Sequence, residues 1–200
     1  MPKQKYSKPA AVALAMAATL VLAGCDAAAP PPPLEGATIG APFELVGTDG
    51  QTVRWSDFDG SYRMVYFGYT WCPDVCPFDL TRMMTGYRQF AEAEPELAAR
   101  VQPIFITVDP ERDTPEKVGE FVSNFGDNLI GLTGTEEQIE KVATDFAVGR
   151  SRGPDDPNVG YLMQHLTSGF LFGPDGEPIA LIPTNDSAAA VAVELEKWVS

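Results

Sequence analysis

The chain has 200 residues, 44% of them hydrophobic, and carries 28 acidic against 14 basic side chains, a net charge of −14. That length and composition support one globular domain with a sizeable core, and the acidity argues against a polyanion such as nucleic acid as partner. Three cysteines and a single histidine are all the thiol and imidazole chemistry available.

Lys3, Lys5 and Lys8 precede an apolar run of 13 residues, 10–22. A run this short does not comfortably span a bilayer, whereas a basic stretch followed by such a run is the pattern of a secretory signal peptide. It ends in "LAGC" at residues 22–25. Those four residues resemble a bacterial lipobox, at which the peptide is cut before the cysteine and the thiol is lipidated. An uncleaved anchor that happens to end in cysteine is the plainer alternative, and either way the domain is tethered to a membrane outside the cytoplasm. Asp26 resembles an inner-membrane retention signal, so the expected location is the periplasmic side of the inner membrane in a bacterial envelope. "AAAPPPP" at residues 27–33 reads as an extended, semi-rigid tether. The expected division is a signal peptide over 1–24, lipidated Cys25 and tether over 25–35, and a domain over 36–200. Residues 1–24 hold three lysines and no acid, leaving 11 basic and 28 acidic residues, a net −17, in the mature chain. Such acidity permits a cationic partner or a metal ion, although solubility is the simpler cause.

Within the domain, residues 43–55 form two extended runs around "TDG" and predict a β-hairpin, with a helical turn beginning at Ser56. "RMVYFGYT", residues 63–70, predicts a buried central strand. Pro77 suits the first turn of a helix, and Leu80, Met83, Met84, Tyr87 and Phe90 recur at helical spacing. Both methionines therefore read as core residues. Residues 101–109 predict a second buried strand. Thr114 caps a helix with Pro115 at its first position, running to about Phe125. A short extended element follows at 129–132, then a helix over 135–146 with Thr135 and Gln138 as a capping box. Residues 149–160 read as a long polar loop. Residues 168–182 predict a hairpin across "GPDG", and a last helix starts at Asn185 or Ser187. This order suits an α/β thioredoxin-like fold: a central mixed β-sheet flanked by helices, with an added N-terminal β-hairpin.

With Cys25 committed to lipid, Cys72 and Cys76 in "YTWCPDVCP" remain as a lone pair in an oxidising compartment. They lie between a strand and a helix N-terminus, where free N–H groups stabilise thiolates. A thiolate attacks disulfides and also binds soft metals, so position alone leaves redox and metal chemistry both open. A purely structural disulfide is the third reading, and so short a loop restrains little chain entropy. His165 lies in the segment that enters the terminal hairpin. In a thioredoxin-like fold that segment passes beside the turn after the first central strand. Two thiolates and one imidazole suit Cu(I), or Cu(II) with a weak fourth ligand, whereas structural zinc would require a fourth protein donor.

"YFGYTWCPDVCP", "VDPERDTP" and "YLMQHLTSGFLFGPDG" together resemble the signature blocks of the Sco/SenC family, copper-binding proteins of cytochrome c oxidase assembly. The similarity runs in order over about residues 36–200. The resemblance implies that Cys72, Cys76 and His165 ligate one copper ion, Cu(I) or Cu(II), per domain. It also implies that acidic residues near the site correspond to Asp109 or Asp113. Against this, Asp109 suits a turn and Asp113 a helix cap. Asp74 reads as an exposed turn residue, Tyr161 as lining or packing, and Trp71 as a shield or partner-facing surface.

Two functions follow as expectations. One is a membrane-tethered metallochaperone that delivers copper to the binuclear copper centre of cytochrome c oxidase. The other is a thiol–disulfide oxidoreductase that keeps the cysteines of that centre reduced, with Cys72 attacking and Cys76 resolving. The expected partners are the copper-receiving oxidase subunit, other periplasmic copper chaperones, thioredoxin-like reductants and, through the lipid, the membrane.

Overall fold

A hairpin of β1 (Glu44–Gly47) and β2 (Thr52–Arg54) opens the sheet, turning at Gly50 with φ 78°, and a 3-10 turn covers Trp55–Phe58. The computed structural model describes residues 1–2, 30–157 and 160–200. The expected signal segment from residue 3 onward, Cys25 and the expected tether up to residue 29 lie outside the described residues. Pro31–Ser200 forms one compact unit, and the Leu34 N–H donates to the Ile179 carbonyl at its edge. Among the described residues no helix is long and apolar enough to cross a membrane.

β3 (Tyr62–Gly68) is buried at every position, as its aromatic and β-branched composition demands of a central strand. It pairs in parallel with β4 (Val101–Thr107), and β4 pairs in parallel with β5 (Ile130–Thr133). β8 (Gly169–Phe172) runs antiparallel on the other side of β3 and continues into β9 (Pro178–Ile182). The seven strands lie in the order β2-β1-β5-β4-β3-β8-β9, so the N-terminal hairpin extends the sheet beside β5. This is the expected thioredoxin-like α/β arrangement.

Helix α1 (Val75–Ala93) buries Leu80, Met83, Met84, Tyr87 and Phe90, which confirms both methionines as core. A short α2 (Pro95–Ala98), which the sequence did not suggest, follows it. The caps behave as their chemistry requires. Thr114 accepts from the Lys117 N–H at the start of α3 (Pro115–Val122), and Thr135 and Gln138 form the reciprocal box of α4 (Glu136–Asp145). α3 stops three residues short of Phe125. Ser187 caps α5 (Ala188–Trp198), which packs on α1. Gly86 permits that contact, because a Cβ there would meet the Ala188 carbonyl oxygen at 2.4 Å.

One expectation is corrected. Residues 149–160 are not merely a loop. Arg150–Arg152 form β6, which pairs antiparallel with β7 (Met163–His165) in a separate two-stranded sheet. "RSR" has no apolar alternation, and its strand character comes from its partner rather than from burial of its own side chains.

Candidate metal and dithiol site

β3 ends in Gly68, and the chain turns through Tyr69, Thr70 and Trp71 to reach Cys72. The Cys72 N–H donates back to the Tyr69 carbonyl at 3.2 Å. Asp74 occupies the N-cap position of α1 without a side-chain cap bond. The Cys72 sulfur does that work, accepting the Cys76 N–H at 3.3 Å. One of the orphan donors of the helix N-terminus is thereby aimed at a thiol. Pro77, in the first turn, has no N–H to leave unsatisfied. Both cysteines are free thiols; Cys76 is fully buried and Cys72 nearly so.

Gly68 leaves room for this packing. A Cβ there would lie 3.0 Å from both the Phe105 and Tyr66 rings and 3.3 Å from the Cys76 sulfur. Cys76 occupies space that any other residue at position 68 would contest.

The two thiols are electrostatically unequal. Cys72 is lowered to about 6, first because the Cys76 thiol donates to it, then through the Cys76 and Asp74 backbone N–H groups and the Tyr69 hydroxyl, all against the opposing effect of burial. Cys76 is pushed well above the ordinary thiol range by that same hydrogen bond to Cys72 and by burial. Within the pair the negative charge is favoured on Cys72 and the proton on Cys76. Tyr69, itself raised to about 12 by burial and by the Cys72 charge, also takes a hydrogen bond from the Met163 backbone. It joins the cysteine turn to β7.

His165 arrives on β7, and its Nε2 stands 3.7 Å from the Cys76 sulfur. Its Nδ1 lies 2.8 Å from the Leu166 carbonyl oxygen. A carbonyl only accepts, so Nδ1 carries the proton and the Nε2 lone pair faces the thiol. Burial lowers the His165 pKa, which keeps the ring neutral and able to bind a metal. The Tyr69 ring packs edge-on against the imidazole, with centroids 6.0 Å apart. At the roughly 2.0–2.3 Å typical of imidazole and thiolate bonds, two donors on one ion stand about 3.5–3.7 Å apart. Cys76 and His165 are therefore already at ligand spacing. Among the described residues no three His, Cys, Asp or Glu side chains stand as a closed metal cage. Two soft donors, the Cys76 sulfur and the His165 Nε2, are gathered here beside the Cys72 thiol.

The acidic residues lie elsewhere. Asp113 is fully buried and does not cap α3; it accepts from the Thr70 N–H and hydroxyl at 2.9 and 2.6 Å and from the Thr107 hydroxyl at 2.6 Å. Asp109 accepts from the Tyr161 hydroxyl at 2.8 Å and from Arg112 Nε at 2.5 Å. Tyr161 is consumed by that contact and does not reach the thiols directly. Asp74 is exposed, as a turn residue should be. Trp71 is 52% exposed, with the Arg112 and Lys117 cations each 5.6 Å from its ring. Phe78, 59% exposed, and Val75 extend the apolar rim along the start of α1.

Three contributors escaped the sequence reading. Besides Tyr69, the buried Asp79 accepts from the Tyr66 hydroxyl at 3.2 Å beneath Cys76, and burial raises its pKa. The available signal was an aspartate falling on the apolar stripe of α1, three residues after Cys76.

The model of the SCO1/SenC family matches residues 31–200. The chain belongs to the SCO1/SenC family. Among its curated relatives is the mouse mitochondrial protein SCO1 homolog, 38% identical over 154 residues, covering 77% of this chain and 54% of that protein. The chain thus spans about half the length of the curated relatives it matches. Among solved structures, Arabidopsis thaliana ScoI with copper bound superposes with TM-score 0.74 at 32% identity, over 80% of this chain and 97% of that one. Bradyrhizobium japonicum ScoI with copper bound gives TM-score 0.71 at 33% identity, over 80% and 99%.

Proposed function

We propose that this SCO1/SenC chain is a copper metallochaperone, holding one copper ion as cargo between Cys72, Cys76 and His165. The observation that carries the reading is the 3.7 Å approach of the His165 Nε2 lone pair to the Cys76 sulfur across 89 residues of sequence. The similar Arabidopsis and Bradyrhizobium proteins with copper bound support it. Thiolates and a neutral imidazole favour Cu(I), and a fourth weak donor would admit Cu(II). The acceptor is the binuclear copper centre of cytochrome c oxidase, as the family resemblance implies, and transfer proceeds by ligand exchange. Loading displaces the proton kept on Cys76, so copper affinity falls with pH. Lipidation at Cys25, cleavage after residue 24 and residence on the periplasmic face of the inner membrane belong to this proposal on the strength of the sequence alone.

The deciding experiment is anaerobic copper titration of wild type and His165→Ala, counting metal after dialysis. Wild type retains one equivalent and His165→Ala binds more weakly. Equal retention by the two proteins eliminates the three-ligand site.

A second reading, thiol–disulfide oxidoreductase, is favoured by the lowered pKa of Cys72. The Cys72 thiolate attacks a substrate disulfide to form a mixed disulfide. Cys76 then loses its proton and displaces the substrate thiolate, leaving a Cys72–Cys76 disulfide and a reduced substrate. This reaction does not need His165. Efficient substrate reduction by a protein that retains no copper would select it over the chaperone.

A further inference from the structure

The segment between β4 and α3 supplies no ligand in the reading above, yet it touches both halves of the site. We propose that residues 107–113 form a bracket in which Asp113 positions the cysteine turn and Asp109 positions the histidine ribbon. The consequence for copper rests on the proposed function; the positioning itself does not.

Asp113 grips Thr70, two residues before Cys72, through both the backbone N–H and the hydroxyl. Asp109 grips Tyr161, four residues before His165. The adjacent Val108 carbonyl accepts from Arg150 Nε at 2.5 Å, and Arg150 is the cross-strand partner of His165. The two carboxylates are tied to each other. The Thr107 hydroxyl donates to Asp113 and accepts from the Asp109 N–H at 2.9 Å, while the Asp113 N–H donates to the Asp109 carbonyl at 3.0 Å. Arg112 completes the link, its guanidinium 3.6 Å from the Tyr161 ring centroid, 5.8 Å from that of Tyr69 and 5.6 Å from that of Trp71. Both carboxylates are almost wholly buried, a costly arrangement that persists only where hydrogen bonds compensate. Here the compensating bonds run to the two arms of the site. The bracket therefore sets how far apart thiols and imidazole stand, and each arm has its own handle.

The test uses the full chain and two pairs of variants: Asp113→Asn and Thr70→Val on the cysteine arm, Asp109→Asn and Tyr161→Phe on the histidine arm. Thr70→Val and Tyr161→Phe each delete a single hydroxyl, so the comparison stands even where a carboxylate variant fails to fold. Two readouts need no copper. One is the Cys72–Cys76 dithiol–disulfide equilibrium, followed by peptide-resolved mass spectrometry. The other is the diethylpyrocarbonate modification rate of His165, which reports one site because the chain has one histidine. Cysteine-arm variants should move the dithiol equilibrium about tenfold towards disulfide, roughly 30 mV more reducing, with His165 modification unchanged. Histidine-arm variants should speed His165 modification several-fold and leave the dithiol equilibrium in place. Variants that lower the melting temperature while moving neither readout, or both together, overturn the bracket. Absence of copper retention by wild type would sink the chaperone reading, while the arm-specific shifts would still decide the bracket.

Discussion

The cysteine turn and the histidine ribbon meet at one site but are built from unequal materials. Cys72 and Cys76 sit where a seven-residue strand buried along its whole length leads into a 19-residue helix, Cys72 in the turn and Cys76 in the helix itself. His165 ends a three-residue strand whose partner is equally short, outside the main sheet. The thiols are held by core packing, with Cys76 fully buried and its sulfur close against Gly68. The ribbon buries Met163 and the adjoining Tyr161 but is otherwise held by polar bonds, among them Arg150 to the Val108 carbonyl and the Leu166 N–H to the Val148 carbonyl. Elements with little apolar burial open at lower free energy than core strands. The comparison teaches that the dithiol is the more deeply anchored half of the site and the imidazole the less anchored half.

Four substitutions or titrations test that asymmetry. Cys76→Ser should abolish disulfide formation outright and weaken copper retention beyond the roughly 10–100-fold expected from losing a residue behind a ligand. Mass spectrometry and dialysis would measure these, and retention within tenfold of wild type would move the metal away from the more deeply anchored half. Gly68→Val should destabilise the domain by about 1–3 kcal/mol through overpacking against Phe105, Tyr66 and Cys76, as read from urea denaturation. A neutral result would show that the thiol half yields as readily as the ribbon.

The reduced pair should also give a pH signature. Cys72 is depressed to about 6, so its stabilising contribution is complete above the unfolded thiol range and is lost as pH falls through 6. Cys76 is raised, so its contribution is present below the unfolded thiol range and is lost as pH climbs beyond it. The melting temperature of the reduced protein, relative to the Cys72→Ser, Cys76→Ser double variant, should therefore rise from pH 6 and reach a maximum near the ordinary thiol pKa of about 8.5. A flat profile would erase the inequality between the thiols. The smallest effect is expected at the rim. Phe78→Ala, at a side chain mostly in solvent, should alter stability by no more than about 0.5 kcal/mol, and calorimetry would detect a larger loss.

Legibility in the sequence followed the range of the interactions. The Thr114 and Thr135–Gln138 caps, the buried stripe of α1 and the terminal hairpin are local patterns and were readable. The helix-cap reading of Asp113 fails and local sequence leaves the role of Asp109 open, because their partners lie 43 and 52 residues away. Tyr69 read only as part of a strand end, since nothing near it in sequence signals contact with Cys72 and with β7. β6 was missed because a polar triplet pairs for reasons located in its partner.

The amino-acid sequence by itself determined the order of the main-sheet strands and of the longer helices, the cysteine pair at a helix start and a single histidine near the last hairpin. These follow from hydrophobic period, turn chemistry and composition, all of which act over a few residues. Only the tertiary structure decided that Cys72, rather than Asp74, caps α1, that the two thiols differ in charge, and that Asp109 and Asp113 hold the site instead of lining it. The thiol pair, only four residues apart, owes its inequality to burial as well as to its own hydrogen bond, and the carboxylate contacts span 43 and 52 residues, so all are set when the chain packs.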